Sequence, residues 1–192
     1  MTKGDNIMAF YKRSYLQRIA SQSFTILNEI KDEALASVKT ASTKLTTFDI
    51  FISHSYQDKK TIFGIYKELT SLGYSIYVDW IVDKELDRDN VTKETAQLLR
   101  TRMKQSKSMF YAISNNSKTS KWMPWELGYF DGHNGKVAVF PVLEDNELTF
   151  NPPAYLRLYP LVDKAQAKGT GQEFLWINYD KEESRKYETW RN

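Results

Sequence analysis

Two periods of apolar and polar positions alternate along this chain. Phe48 to Ser53 reads Phe-Asp-Ile-Phe-Ile-Ser, a short β-rich run that predicts a buried strand. A polar loop, His54-Ser55-Tyr56-Gln57-Asp58, follows, with Asp58 placed as the N-cap of a helix from Lys59 to Leu72 that Gly73 stops. Tyr74 to Trp80 predicts a second strand, and residues 81–92 a charged, solvated loop whose sharper reading is a gate or an inter-subunit contact. Lys93 to Ser106 carries Ala96, Leu99 and Met103 on one helical stripe. Ser108 to Ser114 predicts a third strand, Trp122 to Gly132 a short helix, and Lys136 to Leu143 a fourth strand. Beyond Pro152-Pro153 the pattern is less regular, with Tyr155 to Val162 and Phe174 to Tyr179 as two further short strands.

Residues 1–46 differ from the rest. No Gly or Pro occurs from Tyr11 to Lys44, and Leu16, Ile19, Ala20, Leu27, Ile30, Ala34 and Val38 recur at helical spacing. The segment reads as one long amphipathic helix or two short ones. Its apolar stripe needs a partner surface, either its own domain or another molecule.

Strands that alternate with helices imply parallel strands joined by right-handed crossovers. Strands that are apolar almost throughout imply burial on both faces. The expected fold is therefore an open, doubly wound α/β sheet, mostly parallel, with helices on both faces and an N-terminal helical extension. Ligands of such sheets sit beyond the carboxyl ends of the strands. Ser53, His54 and Ser55 fall there after the first strand, Asp79 and Trp80 after the second, and the loop leading to Trp122 after the third. Trp122 and Glu126, four residues apart, share a helix face and bring an aromatic plate and a carboxylate to one place. Pro124 is tolerated only in a first helical turn, so the helix begins near Trp122 and Glu126 lies close to its positive end. By this spacing Trp122 is the stacking residue and Trp125 a core residue. Asp49 is assigned structural hydrogen bonding, and His133 a place in a turn.

Composition narrows the chemistry. The 192 residues include no Cys and only two His, which excludes disulfides, thiolate metal sites and a cysteine nucleophile and leaves no expected metal site. Lys plus Arg exceed Asp plus Glu by 27 − 24 = 3, too few to argue for nucleic acid. There is no apolar run of membrane-spanning length and no signal-peptide pattern, so the expected setting is the cytoplasm. Neither a Gly-x-Gly-x-x-Gly nor a Walker loop is present, which argues against NAD redox chemistry and ATP hydrolysis.

Three segments in order, Phe48 to Ser55, Leu72 to Trp80 and Ser120 to Leu127, resemble the first box, the second strand and the acid-bearing late helix of a bacterial TIR (Toll/interleukin-1 receptor) domain. The resemblance covers residues 48–143 and implies a flavodoxin-like sheet, with residues 47–192 as the domain and 1–46 outside its pattern. Residues 81–92 hold neither Pro nor Gly, unlike the loop of adaptor-recruiting members. Some members of the family only self-associate; others cleave the nicotinamide–ribose bond of NAD, many of them in antiphage defence. Glu126 tilts the expectation to cleavage, with Glu126 catalytic and Ser53, His54, Ser55, Asp79, Trp80 and Trp122 binding the substrate. NAD is then substrate, and no cofactor is expected. The resemblance also implies homo-oligomers on activation and a separate effector that senses the product, with no nucleic acid or membrane partner. The alternatives are a non-enzymatic interaction module and another N-glycosidic enzyme, such as a nucleoside deoxyribosyltransferase.

Overall fold

A computed structural model describes residues 3, 10–29, 46–83, 92–180 and 183–192. The expected helix beyond residue 29 and most of the charged loop 81–92 lie outside the described residues. In chain order the elements are β1 (Tyr11–Lys12), α1 (Arg13–Glu29), β2 (Phe48–Ser53), α2 (Lys59–Ser71), β3 (Ile76–Tyr77), α3 (Asp79–Val82), α4 (Lys93–Lys104) and β4 (Ser106–Ile113). They continue with α5 (Trp122–His133), β5 (Val137–Leu143), β6 (Leu161–Gln166), β7 (Glu173–Asn178), β8 (Ser184–Lys186) and α6 (Tyr187–Trp190).

The strands lie in the order β3-β2-β4-β5-β6-β7-β8. The first five are mutually parallel, and β7 runs antiparallel to both its neighbours, β6 and β8. Side chains alternate between two cores, as they must in a sheet covered on both sides. Ile50, Ile52, Phe110, Ala112 and Phe140 point to the layer of α1, α2 and α6. Phe51, Met109, Tyr111 and Val139 point to the layer of α4 and α5. Because β3 and β4 flank β2 on opposite sides, the chain reverses its direction of travel across the sheet at β2. That switch point is where the crevice of a doubly wound sheet opens.

β1 joins the sheet at the carboxyl end of β5, pairing Tyr11 with Val142 and Lys12 with Leu143. Pro141 just before them lacks an N–H, yet sits in a central strand. It is tolerated because the β4 ladder ends there, at Ile113. From β1 the chain enters α1, which packs on α2 with Leu16 and Ala20 fully buried. The apolar stripe of α1 thus finds its partner surface within the same chain, over the part whose side chains are described.

Three elements differ from the pattern reading. Tyr74 to Trp80 is not one strand: only Ile76 and Tyr77 pair with β2, and Asp79 then opens the single turn of α3. A β-branched, aromatic run favours strand, but pairing with β2 ends at Tyr77, and Asp79 then suits the first turn of a helix. Tyr155 to Val162 likewise divides, into a 3-10 turn at Ala154–Leu158 and the start of β6 at Leu161. The helix from Lys93 ends at Lys104, because Ser106 already pairs with Phe48. Among the described residues no helix is long and apolar enough to cross a membrane.

Candidate active site

Helix α5 begins where Pro124 requires. Pro124 is its third residue, and the Ser120 hydroxyl accepts the Met123 N–H at 3.3 Å in the role of a cap. Glu126 follows one turn in and has no solvent exposure. Its Oε2 accepts a hydrogen bond from Ser53 Oγ at 2.6 Å. Ser53 ends β2 and lies directly opposite Tyr111 of β4. The sheet therefore places Ser53, Tyr111 and Glu126 together at the switch point, on the side of α5. The positive end of α5 favours the ionised carboxylate, and a hydroxyl donating to a carboxylate makes one of the stronger protein hydrogen bonds. Ser53→Ala is expected to cost about 1.5–3 kcal/mol of stability, because it leaves a buried charged acceptor short of one donor; the shift of a urea unfolding midpoint measures it.

Tyr111 lies within the run Ser108 to Ser114 that the sequence predicts as a strand. Its ring is buried, but its hydroxyl shares a hydrogen bond with Tyr155. Burial first, then Tyr155 and the charge of Glu126, push this hydroxyl well above the usual tyrosine range, so it stays protonated. Tyr111 also forms part of the wall of a cavity of ≈ 230 Å³ at the carboxyl ends of β4 and β5. Ser114, Asn115, Lys118, Phe150 and Asn151 line it further. Polar groups set among aromatic rings suit an oriented organic ligand. Neither the cavity nor Tyr111 has a local sequence signal, since both arise from pairing between distant strands.

The other expected residues have more varied places. His54 is wholly buried. Its Nδ1 lies 3.0 Å from the Ile52 carbonyl oxygen, and its Nε2 accepts the Trp80 indole N–H at 3.2 Å. That pattern sets the neutral ring as the Nδ1–H tautomer. Asp79 Oδ1 lies 3.4 Å from the same Nε2. His54 thus holds the Trp80 indole by its N–H, and both His54 and Asp79 are buried beside it. Trp80 is half-buried, and the Lys59 ammonium lies 5.8 Å above its ring and 3.8 Å above that of Tyr56. Ser55 is buried at the start of the 3-10 turn Tyr56–Asp58.

The burial of the tryptophans reverses the expectation. Trp122 does share the face of Glu126, but that face turns to the sheet, and Trp122 is 8% exposed within the α5-side core. Trp125, expected in the core, is half-buried at its margin. It meets Trp122 edge-on at 5.3 Å and stacks on Tyr129, with the Arg100 guanidinium above its ring. Helical spacing gives a shared face but not which side of the helix the sheet covers.

Asp58 stands at the N-cap position of α2, yet its side chain makes no cap bond. It turns inward, accepting from Arg13 Nη1 and Asn116 Nδ2, both at 2.8 Å, and from Ser114 Oγ. Asp49 is held by Ser75, Lys107 and Arg191, the structural role expected of it. Among the described residues no cluster of His, Asp and Glu side chains could hold a metal ion.

A "Probable 3' cyclic ADP-D-ribose synthase ThsB'" of Bacillus cereus (strain MSX-D12) is 49% identical over 144 residues, 74% of this chain and 75% of the relative. A "Putative cyclic ADP-D-ribose synthase TIR2" of Cytobacillus dafuensis is 41% identical over 83 residues, 43% of this chain and 22% of the relative. Among solved structures, the TIR domain of the Toll-related receptor TRR-2 from Hydra magnipapillata aligns at a TM-score of 0.42 with 16% identity, over 57% of this chain and 78% of that one. The family described as "TIR domain" matches residues 50–189, a span that holds the switch point, Glu126 and the antiparallel end of the sheet, and the chain belongs to that family.

Proposed function

We propose that this chain breaks the nicotinamide–ribose bond of NAD+ and closes the remaining ADP-ribose into a cyclic product, a nucleotide signal in bacterial antiphage defence. The observation that carries this reading is the relative named as a cyclic ADP-D-ribose synthase, nearly half identical over three quarters of both chains. The geometry supports it. Nicotinamide leaves with the electron pair of the broken C–N bond, and positive charge develops on the ribosyl carbon as in glycoside cleavage. Glu126 supplies the compensating negative charge from a fixed position, and Ser53 fixes that position. A hydroxyl of the second ribose then adds its oxygen to the same carbon and loses its proton, with Glu126 as acceptor. NAD+ thus becomes nicotinamide, cyclic ADP-ribose and one proton, with no further cofactor. The 3' prefix in the relative's name points to a 3' hydroxyl as the nucleophile. The cavity beside Tyr111 receives the part of the dinucleotide beyond the nicotinamide riboside. The protein works in the cytoplasm, assembles through TIR–TIR contacts on activation, and passes its product to a separate effector.

Incubation of phage-activated protein with NAD+, followed by mass spectrometry, tests this. The expected products are nicotinamide and an ADP-ribose lighter by one water than the linear form. Linear ADP-ribose alone would remove the cyclisation, and the absence of nicotinamide release by activated protein would remove the enzyme.

A further inference from the structure

We propose that Arg13, which precedes the span matched by the TIR family, is a positioning residue that sets the width of the cavity beside Tyr111 and so the affinity for the dinucleotide. This rests on NAD+ being the substrate. The cavity has two walls from distant parts of the chain. One is the turn after β4, with Ser114, Asn115 and Ser117; the other is the end of β5 and the turn after it, with Val142, Leu143 and Glu147. The β4–β5 ladder holds the two walls together as far as the Ile113–Pro141 pair, and beyond that pair the two turns depend on other ties for their separation.

Arg13 is bonded to the supports of both. On one side its Nη1 donates to Asp58 at 2.8 Å, and the carboxylate of Asp58 accepts from Ser114 and Asn116. Ser114 in turn caps the 3-10 turn Asn115–Thr119 by accepting the Asn116 N–H at 3.1 Å. On the other side Arg13 Nε donates to Glu144 Oε1 at 2.7 Å, and the Glu144 N–H donates to Glu147 Oε2 at 2.9 Å. The neighbours of Arg13 tie the second wall again. Tyr11 and Lys12 pair with Val142 and Leu143, the Lys12 ammonium donates to the carbonyls of Glu144 and Glu147, and Ser14 donates to Asp145 at 2.5 Å.

The guanidinium is suited to this task. It is planar and always charged, and its Nε and Nη1 meet the two carboxylates from separate places on a rigid fork, whereas an ammonium offers its three N–H donors from a single point. Its side chain is 17% exposed and that of Asp58 2%, so solvent screens the pair weakly. Without Arg13, Asp58 and Glu144 lose the charged group that joins them, and the two walls lose the tie between their supports. Arg13 itself does not line the cavity. Its loss therefore acts on binding geometry rather than on the reacting atoms.

Steady-state kinetics on the full chain test this. Arg13→Met is expected to raise the KM for NAD+ about tenfold with kcat within about twofold, and Arg13→Lys to recover part of the loss through one of the two bonds. Hydrogen exchange at the Asn116 amide is expected to speed up in Arg13→Met, a readout independent of turnover. Should Arg13→Met not fold, Glu144→Ala removes the tie to one wall only and is expected to raise KM in the same direction by less. Unchanged KM in folded Arg13→Met, or in Glu144→Ala where Arg13→Met does not fold, overturns the positioning role alone. Failure of the wild-type chain to cleave or bind NAD+ overturns the substrate, and this inference with it.

Discussion

Glu126→Gln is expected to lower nicotinamide release from NAD+ by about 10³-fold while the folded state holds or gains stability. The two halves of that result have one cause. A carboxylate without solvent exposure is expensive to bury, by several kcal/mol for an ion in a poorly polarisable surrounding. Glutamine has nearly the same shape and keeps an oxygen for the Ser53 hydroxyl, now 2.6 Å from Oε2, so packing is preserved and the cost of the charge is removed. What is lost is fixed negative charge beside a carbon that becomes positive as nicotinamide departs. Removal of one preorganised electrostatic partner of that kind costs about 10²–10³ in rate, and the upper end applies where the charge is whole and water is excluded. Nicotinamide release by chromatography and a thermal melt on the same samples check both halves. Equal release by Glu126→Gln and wild type would end the catalytic role of Glu126. A large fall in melting temperature would mark the carboxylate as a structural ion instead.

The parts of this site that were legible in the sequence are those with a local signal. Pro124 placed the start of α5 and, through it, Glu126 near a helix N-terminus. Alternation of apolar strands with helical stripes gave the parallel sheet and put Ser53 at its ligand-binding edge. What stayed hidden depends on contacts between distant segments. Tyr111 looks like any apolar strand residue until β2 is set beside it. Asp58 has the sequence context of a helix cap, and only the approach of Arg13, 45 residues earlier, explains why its side chain turns inward. Which of Trp122 and Trp125 is the more buried was not legible, because their spacing fixes their angle around α5 and nothing local fixes where the sheet lies. The Tyr74–Trp80 run was misread for the opposite reason: its strong local preference for strand was overridden once pairing with β2 ended at Tyr77.

Gly64→Ala is expected to destabilise the protein by about 3 kcal/mol, reversing the usual sign of that substitution. In the middle of an ordinary helix, alanine is about 1 kcal/mol better than glycine. Gly64 lies in α2 at its crossing with α1, where a Cβ would sit 2.1 Å from the Leu16 carbonyl oxygen and 2.6 Å from the Leu16 carbonyl carbon. Both are backbone atoms, so no side chain can rotate away and α1 must move as a body. Overpacking of a core costs roughly 1–3 kcal/mol and more where the obstacle is rigid. For a chain of this size the expected fall in melting temperature is about 10 °C. Gly128→Ala in α5 is the control, since nothing lies within 4 Å of its added Cβ; there the propensity gain acts alone and a small rise is expected. Opposite shifts for the two glycines would establish that α1 is seated on α2 as closely as a glycine allows. That seating matters beyond stability, because β1 and Arg13 lead directly into α1, and a displaced α1 carries the tie across the cavity with it. Gly64→Ala is therefore expected to raise the KM for NAD+ even at temperatures where the protein is fully folded, whereas Gly128→Ala leaves the walls of the cavity in place. Equal KM values for wild type and folded Gly64→Ala would uncouple the helix crossing from the site.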